Sequence, residues 1–388
     1  MDETLARWLV GEAGRTALAE ASQLADPGSI AAAQALRRRW TPEQAAAVSR
    51  QEELRRRAVA KFGDRAAGLF LTPDGLEQAT RAPVAAWRAE RFVAAGVTRV
   101  VDLGCGIGAD ALALADAGLE VVAVEQDPAT AVLASANLAG RGEVVVGDAV
   151  ELAGRLLEPG VAVFLDPARR TGRGRTWRLS EVSPPWDWAV ATVGGRVGCL
   201  KAGPGLATAD LPTTLAAVWV SERGDLVETG LWSAVPGWAA GSRTAVLLPG
   251  PIEVPVDHRR RPPLGEVGAY LYEPDPAVIR AGGIGQLAET VGGWALADGI
   301  AYLASDALVE TPLAKAFAVH RELPWAERAV RAWVREAGIG VLEIKVRGID
   351  VDPAELRRRL KPSGPAAATL VITPTRRGAR ALVTDRVS

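Results

Sequence analysis

The spacing of apolar and polar positions changes from one region of the chain to the next. Residues 1–80 place their apolar side chains at helical intervals, with no alternating strands. Asp26-Pro27-Gly28-Ser29 separates one helix from the next. Thr41-Pro42-Glu43-Gln44 opens another, with Thr41 as N-cap and Pro42 in the first turn. This predicts a helical cap over 1–80, followed by a helix ending near Ala95. From Val97 to about Leu200, short apolar runs alternate with Ala/Leu-rich helical segments, the pattern of a parallel sheet covered on both faces. The first run ends in Asp102, others cover 120–124, 143–146 and 161–165, and a fifth ends near Cys199. Further strand-like segments cover 215–221, 226–233 and 244–248.

Beyond residue 250 the pattern weakens. Residues 251–263 are rich in proline and arginine, and 251–310 reads as a connector with two short helices and many turns. From about Lys315 a new α+β unit is predicted: a strand, a helix (325–337), a strand (340–346), a helix (353–360) and two strands (369–373, 380–384). The expected domains are therefore 1–80, 81–250, 251–310 and 311–388.

Candidate chemistry begins where the first strand ends. Residues 100–110 read Val-Val-Asp-Leu-Gly-Cys-Gly-Ile-Gly-Ala-Asp: a buried strand, a loop with Gly104, Gly106 and Gly108, then a helix start. Glycines let the backbone approach a ligand, and the first amides of a helix suit an anionic group. Gly104, Gly106 and Ala109 also fit the dinucleotide pattern G-x-G-x-x-G/A, so the loop alone does not identify the ligand. Asp102 weighs against a pyrophosphate, which it would repel, and favours a ligand carrying an ammonium. Glu125 closes the second strand, in place to accept from two ribose hydroxyls. Gly147-Asp148 closes the third, where a carboxylate can accept from an adenine amine. The fourth strand ends in Asp166-Pro167-Ala168-Arg169.

With that series the chain resembles the class I S-adenosylmethionine-dependent methyltransferases over about residues 80–250. The resemblance implies a Rossmann-like α/β sheet ending in an antiparallel pair, with S-adenosyl-L-methionine as cofactor. Asp102 would organise the methionine ammonium, through water, and the amides of Gly104, Cys105, Gly106 and Gly108 its carboxylate. Glu125, beside Gln126, would take the ribose diol, while Asp148 and the Ala149 amide would read the adenine edge. Asp166, with the Pro167 turn and Arg169, would face the transferring methyl and position the acceptor. The plainer role for each carboxylate is a helix N-cap, and Asp127 before Pro128 is assigned only that. Leu342-Glu343-Ile344-Lys345-Val346-Arg347-Gly348-Ile349-Asp350-Val351-Asp352-Pro353 resembles the THUMP-like C-terminal domain of a bacterial branch of these enzymes. Leu76-Glu77-Gln78-Ala79-Thr80 belongs to the same branch, which adds Gln78 and Thr80 to the expected cofactor residues.

Alanine and arginine stand where base-amine methyltransferases of this class carry a second proline and an aromatic, which argues against methylation of a stacked base amine. Neither Cys105 nor Cys199 is placed as a nucleophile for carbon methylation. After Asp166 come Arg169, Arg170, Arg173, Arg175 and Arg178, with no acidic residue before Glu181. Guanidinium forks at an active-site mouth suit phosphates, and Trp177 could stack on a base; a solvated arginine face is the plainer alternative.

Net charge is −1, but residues 311–388 carry fifteen basic against eight acidic side chains, a net of +7. Lys345 and Arg347 are expected to join a basic face there. THUMP domains proper bind RNA, so the expected substrate is tRNA or rRNA. The competing readings are a protein or small phosphorylated or carboxylated metabolite as substrate, and a non-catalytic RNA-binding protein on the same scaffold. Two cysteines and two histidines, far apart in sequence, predict no disulfide framework and no metal site. No apolar run approaches a membrane span, and Met1-Asp2-Glu3 lacks the basic start of a secretory signal. A cytoplasmic enzyme is the expectation.

Overall fold

The computed structural model describes residues 1–24, 29–169 and 179–387, the side chains of Ile30, Ala33 and Arg169 excepted. Two compact units are formed, Met1–Glu222 with Val227–Ser242 and Arg223–Leu226 with Arg243–Ser388.

The first unit opens with four helices, α1 (Glu3–Val10), α2 (Glu12–Ser22), α3 (Ile30–Leu36) and α4 (Pro42–Phe62). The expected start of α4 is a full capping box: the Thr41 hydroxyl accepts from the Gln44 amide at 3.3 Å, and the Gln44 side chain accepts from the Thr41 amide at 3.0 Å. Helices α5 (Pro73–Gln78) and α6 (Ala82–Ala94) lead into an alternation of strands and helices: β1 (Arg99–Leu103), α7 (Ala109–Asp116), β2 (Glu120–Glu125), α8 (Pro128–Leu138), β3 (Glu143–Val146), α9 (Ala149–Leu156) and β4 (Ala162–Leu165). Short strands β5 (Ala168–Arg169) and β6 (Val182–Ser183) pair antiparallel, and α10 (Trp186–Gly194), β7 (Gly198–Ala202), β8 (Ala216–Glu222) and β9 (Asp225–Ser233) follow.

The strand order is β8-β9-β7-β4-β1-β2-β3. Pairings β4–β1, β1–β2, β2–β3 and β4–β7 are parallel, and β7–β9 is antiparallel, as the resemblance implied. Because β2 and β4 flank β1 on opposite sides, the chain reverses its order of winding at β1. Open sheets of this kind bind ligands in the crevice at that point.

The N-terminal helices belong to the same compact unit as the α/β layer. Ala6, Leu9 and Leu18 share one buried core with Ala129 and Leu133 of α8. Amphipathic helices must bury their apolar stripe against something, and here the partner is the α/β layer itself. Two buried amide side chains hold the extended segment that follows α4. Gln51 exchanges both hydrogen bonds with the Leu71 backbone (2.6 and 2.9 Å), and Asn137 does the same with Phe70 (2.8 and 2.9 Å).

The second unit contains a hairpin, β10 (Arg243–Leu248) with β11 (Ile252–Pro255), and a seven-stranded sheet. Its elements are β12 (Tyr270–Pro274), α11 (Pro276–Ala281), α12 (Ile284–Val291), β13 (Trp294–Ala295), β14 (Leu303–Ser305), β15 (Ala314–Pro324), α13 (Glu327–Glu336), β16 (Ile339–Val346), α14 (Pro353–Leu360), β17 (Ala366–Thr375) and β18 (Gly378–Arg386). The sheet order is β13-β14-β12-β15-β18-β17-β16. Residues 251–310, expected as a connector, thus supply three of its strands. The reason lies in the pleat. Leu370 and Ile372 of β17 pack under α13 and α14, whereas Val371 and Leu382 face the other way and are covered by Leu296 and Tyr302. A sheet apolar on both faces needs two covers, and the segment 251–310 provides the second.

The basic face expected around Lys345 and Arg347 is also corrected. The Lys345 ammonium lies 2.8 Å from Glu273 and the Arg347 guanidinium 3.8 Å from the same carboxylate. Glu273 lies on β12, and residues 251–310 carry nine acidic against four basic side chains. Much of the +7 excess is therefore answered inside the same unit.

Candidate active site

Three of the four acidic strand ends of the first unit, Glu125, Asp148 and Asp166, line a cavity of about 1000 Å³ at one edge of the sheet. That is the upper end of the range for small-ligand sites. Gly104, Cys105, Gly106, Glu125, Gln126, Asp148, Ala149, Asp166 and Gln78 line it. Asp102, Thr80, Gly108 and Pro167 do not. The remaining expected contacts, Arg170, Arg173, Arg175 and Trp177, lie outside the described residues, and Arg169 is described for its backbone only.

The glycine loop is built as the sequence suggested but faces differently. Gly104, Gly106 and Gly108 all adopt positive φ (92°, 56° and 79°). The amides of Gly104 and Cys105 both donate to the Val124 carbonyl at 2.9 Å, Gly106 donates to Glu125 at 2.9 Å, and Gly108 to Cys105 at 2.9 Å. The loop amides expected to hold a carboxylate are therefore engaged within the protein. Those of Ile107, Ala109 and Asp110, at the start of α7, form no hydrogen bond among the described residues. They are the donors left for an anionic group. Gly75 of α5 lies against this loop: a Cβ there would meet the Ile107 side chain at 2.5 Å.

Glu125 spans the loop and the next helix. One oxygen accepts from Gly106 and the other from the Asp127 amide at 2.9 Å, and the carboxylate still faces the cavity. Asp148 caps α9, accepting from Val150 at 2.7 Å through one oxygen. Asp127 caps α8, accepting from the Thr130 amide at 2.8 Å, the plain role assigned to it.

Asp102 lies beneath the loop, 1% exposed, and neither carboxylate oxygen has a hydrogen-bond partner among the described residues. Burial, followed by the charges of Asp110 and Asp166, pushes its acid well above the usual carboxylate range. A buried carboxylate without donors is costly, and a cationic ligand group or a water bridging to one would satisfy it. The Cys105 thiol is pushed well above its usual value by burial and by Asp102 and Glu125, which suits packing rather than nucleophilic attack.

Two lysines that sequence reasoning missed hold this side of the site, one at Asp166 and one at the end of α5. The Lys201 ammonium, at the end of β7, is 2.5 Å from Asp166 and 3.5 Å from the Gln78 carbonyl. Burial alone would lower it; Asp166, with Asp110 and Glu228, more than offsets this and holds it above its usual range. Lys61 donates to the carbonyls of Leu76, Glu77 and Ala79 at 2.7, 2.7 and 2.9 Å, pinning the end of α5 along the cavity. Burial, with Lys201 and Arg81 nearby, lowers Lys61 to about 8. A signal was available: the chain has five lysines against forty arginines. Three converging carbonyls suit a compact ammonium better than a planar guanidinium.

Below Asp102, Arg88 is 1% exposed and ties Asp110 to Glu228, the latter at 2.5 and 2.6 Å, with its guanidinium 4.7 Å from the Phe164 ring centre. Asp110 also accepts from the Thr80 hydroxyl at 2.7 Å, so Thr80 supports the loop from behind instead of reaching the cavity.

Comparison with known proteins decides the family. An uncharacterised S-adenosylmethionine-dependent methyltransferase of Mycobacterium tuberculosis, from strains CDC 1551 and H37Rv, is 32% identical over 346 residues. The match covers 86% of this chain and 94% of the relative. The chain belongs to the S-adenosylmethionine-dependent methyltransferases. Residues 314–386 match the family described as THUMP domain-like, and residues 2–58 match a domain of unknown function, DUF8688. The crystal structure of a presumed methyltransferase from Porphyromonas gingivalis W83 shares the fold, with a TM-score of 0.79. It is 22% identical, covering 100% of this chain and 99% of its own. This methyltransferase is thus a class I enzyme using S-adenosyl-L-methionine, with a THUMP-like domain at its C-terminus. Among the described residues no helix is long and apolar enough to cross a membrane, and no group of three or more His, Cys, Asp or Glu is placed to hold a metal.

The residues present fit this cofactor. The orphaned Asp102 suits a positively charged amine reached through water, the start of α7 suits a carboxylate, and Glu125 and Asp148 suit a ribose and an adenine amine. Replacing Glu125 by alanine removes a charged acceptor and also frees the Gly106 and Asp127 amides. Calorimetry with S-adenosylmethionine should then show affinity about 100-fold weaker, roughly two charged hydrogen bonds. An unchanged Kd would remove the ribose role.

Proposed function

We propose that this methyltransferase modifies RNA, in tRNA or rRNA, and that Asp166 positions the accepting group opposite the sulfonium methyl. When bound, the cofactor supplies an electrophilic methyl for in-line displacement; the protein's work is to orient the nucleophile and manage its proton. Asp166 accepts from Lys201 through one oxygen, and its other oxygen is left to accept from an N–H or O–H of the acceptor. The Lys201 ammonium keeps a positive charge beside that carboxylate throughout. Pro167 and Ala168 turn the chain into β5, keeping Asp166 at the cavity wall.

The observation that carries the RNA reading is on the THUMP-like domain. Arg328 and Arg335 of α13, one heptad apart, and Arg358 and Lys361 at the end of α14 are exposed. None of the four has an ion pair among the described residues. Arg359 reaches Glu327 at 3.0 Å, so the two helices lie side by side, each with exposed cations. Such cations suit a phosphate backbone.

Mass spectrometry of tRNA and rRNA nucleosides, with and without the protein in its host, tests this reading; one methylated nucleoside should disappear. If about four phosphates are neutralised, log K for bulk RNA should fall against log salt with a slope of about −3 to −4. A flat salt dependence together with an unchanged nucleoside profile returns the reading to a protein or small-metabolite substrate.

A further inference from the structure

The cavity has a wall that the glycine loop and strand ends do not provide. Along α4, Glu43, Ala46, Ala47, Arg50 and Leu54 line it, at the spacing of one helical face. From α1, Leu5 joins them. These residues lie in the segment that matches a domain of unknown function, residues 2–58.

We propose that this N-terminal helical region forms part of the cofactor site, closing over the adenosine half of S-adenosylmethionine. The inference rests on the reading of Glu125 as the ribose acceptor. Position supports it. Helix α1 packs on α8 through the core shared by Ala6, Leu9, Ala129 and Leu133. The start of α8, Asp127, Ala129 and Thr130, lines the cavity directly after Glu125 and Gln126. The wall is therefore tied to the β2 side of β1. Asp166, Ala168, Ser183 and Pro184, where the acceptor must enter, follow β4 on the other side.

Composition supports it as well. The wall is apolar over Leu5, Ala46, Ala47 and Leu54, which suits the faces of a purine and a sugar, with Glu43 and Arg50 exposed at its edge. Two successive alanines leave open the space that a larger side chain would occupy. The Gln51 and Leu71 hydrogen bonds, with those of Asn137 to Phe70 and, at 2.8 Å, to the Ile107 carbonyl, join α4, the segment before α5 and the glycine loop. A ligand touching the loop thus meets a wall already fixed to it.

Calorimetry with S-adenosylmethionine on the full chain tests this. Ala47→Trp and, at the more exposed neighbouring position, Ala46→Trp should each weaken Kd at least about tenfold with Tm unchanged. Val59→Trp, on the same helix but away from the cavity, should leave Kd within about twofold. On the unaltered protein, the cofactor should slow amide exchange in peptides covering 1–10 and 42–54. Unchanged affinity in both alanine variants, or slowed exchange confined to 104–130 and 146–150, overturns the inference. Glu125→Ala separates the two levels: if it still loses affinity while the tryptophan variants do not, only the wall assignment fails. If it too binds normally, the reading beneath fails.

Discussion

Replacing Arg88 by leucine is expected to destabilise the methyltransferase unit by about 3–5 kcal/mol, measured as a shift of the urea unfolding midpoint at constant m-value. The guanidinium is buried, and both of its carboxylate partners, Asp110 and Glu228, are less than one-tenth exposed. Removing it leaves two uncompensated carboxylates beside a third, Asp102, that already lacks hydrogen-bond partners among the described residues. Leucine recovers some apolar packing against Phe164, but it satisfies neither acid. Lysine should rescue only part of the loss, because one ammonium cannot fork to two carboxylates as the guanidinium does. A loss below about 1 kcal/mol would show that the trio is solvated in solution and that the buried network is not what supports the loop.

The second large effect concerns turnover. Asp166→Ala should lower kcat on total RNA from a host lacking the enzyme by about 100- to 1,000-fold, the range for removing a group that handles the acceptor's proton or charge. Cofactor Kd should move less than about threefold, since Asp166 lies on the side of β1 away from Glu125. Lys201 acts through Asp166 and is a positioning residue: Lys201→Met should cost about 10- to 100-fold in kcat, with KM for RNA little changed. Lys201→Arg should recover part of that loss by restoring the charge, and the methionine variant should show a shifted kcat–pH profile. Equal losses in the methionine and arginine variants, with the profile unmoved, would reduce Lys201 to a packing role. Full activity of Asp166→Ala would remove the proposed acceptor site.

The strand ends were legible because a parallel strand reads as a nearly continuous apolar run, and a carboxylate at its end stands out. Asp102, Glu125, Asp148 and Asp166 were found in this way, and all but Asp102 line the cavity. The orientation of the loop was not legible. Positive φ at three glycines is predictable from residue type, but the acceptor that each amide finds depends on Val124 and Glu125 of the neighbouring strand. Lys201 and Lys61 read as unremarkable cations until their partners are known. Lys345 and Arg347 read as a basic face until Glu273, 72 positions before Lys345, is placed beside them. The segment 251–310 escaped assignment because its strands are two to five residues long and broken by glycine and proline, too short to show a period.

Periodicity and strand-end chemistry, which are local, were enough to read the α/β sheet, and the family resemblance of those strand ends gave the cofactor class. Tertiary structure decided which amides remain for a ligand, which cations are already paired, and which helices wall the cavity. Those outcomes depend on groups as far apart in the chain as Arg88 and Glu228, 140 positions. No spacing rule along a sequence reaches that far, because a charge or a hydrogen bond is satisfied by whatever the fold brings within about 3 Å of it.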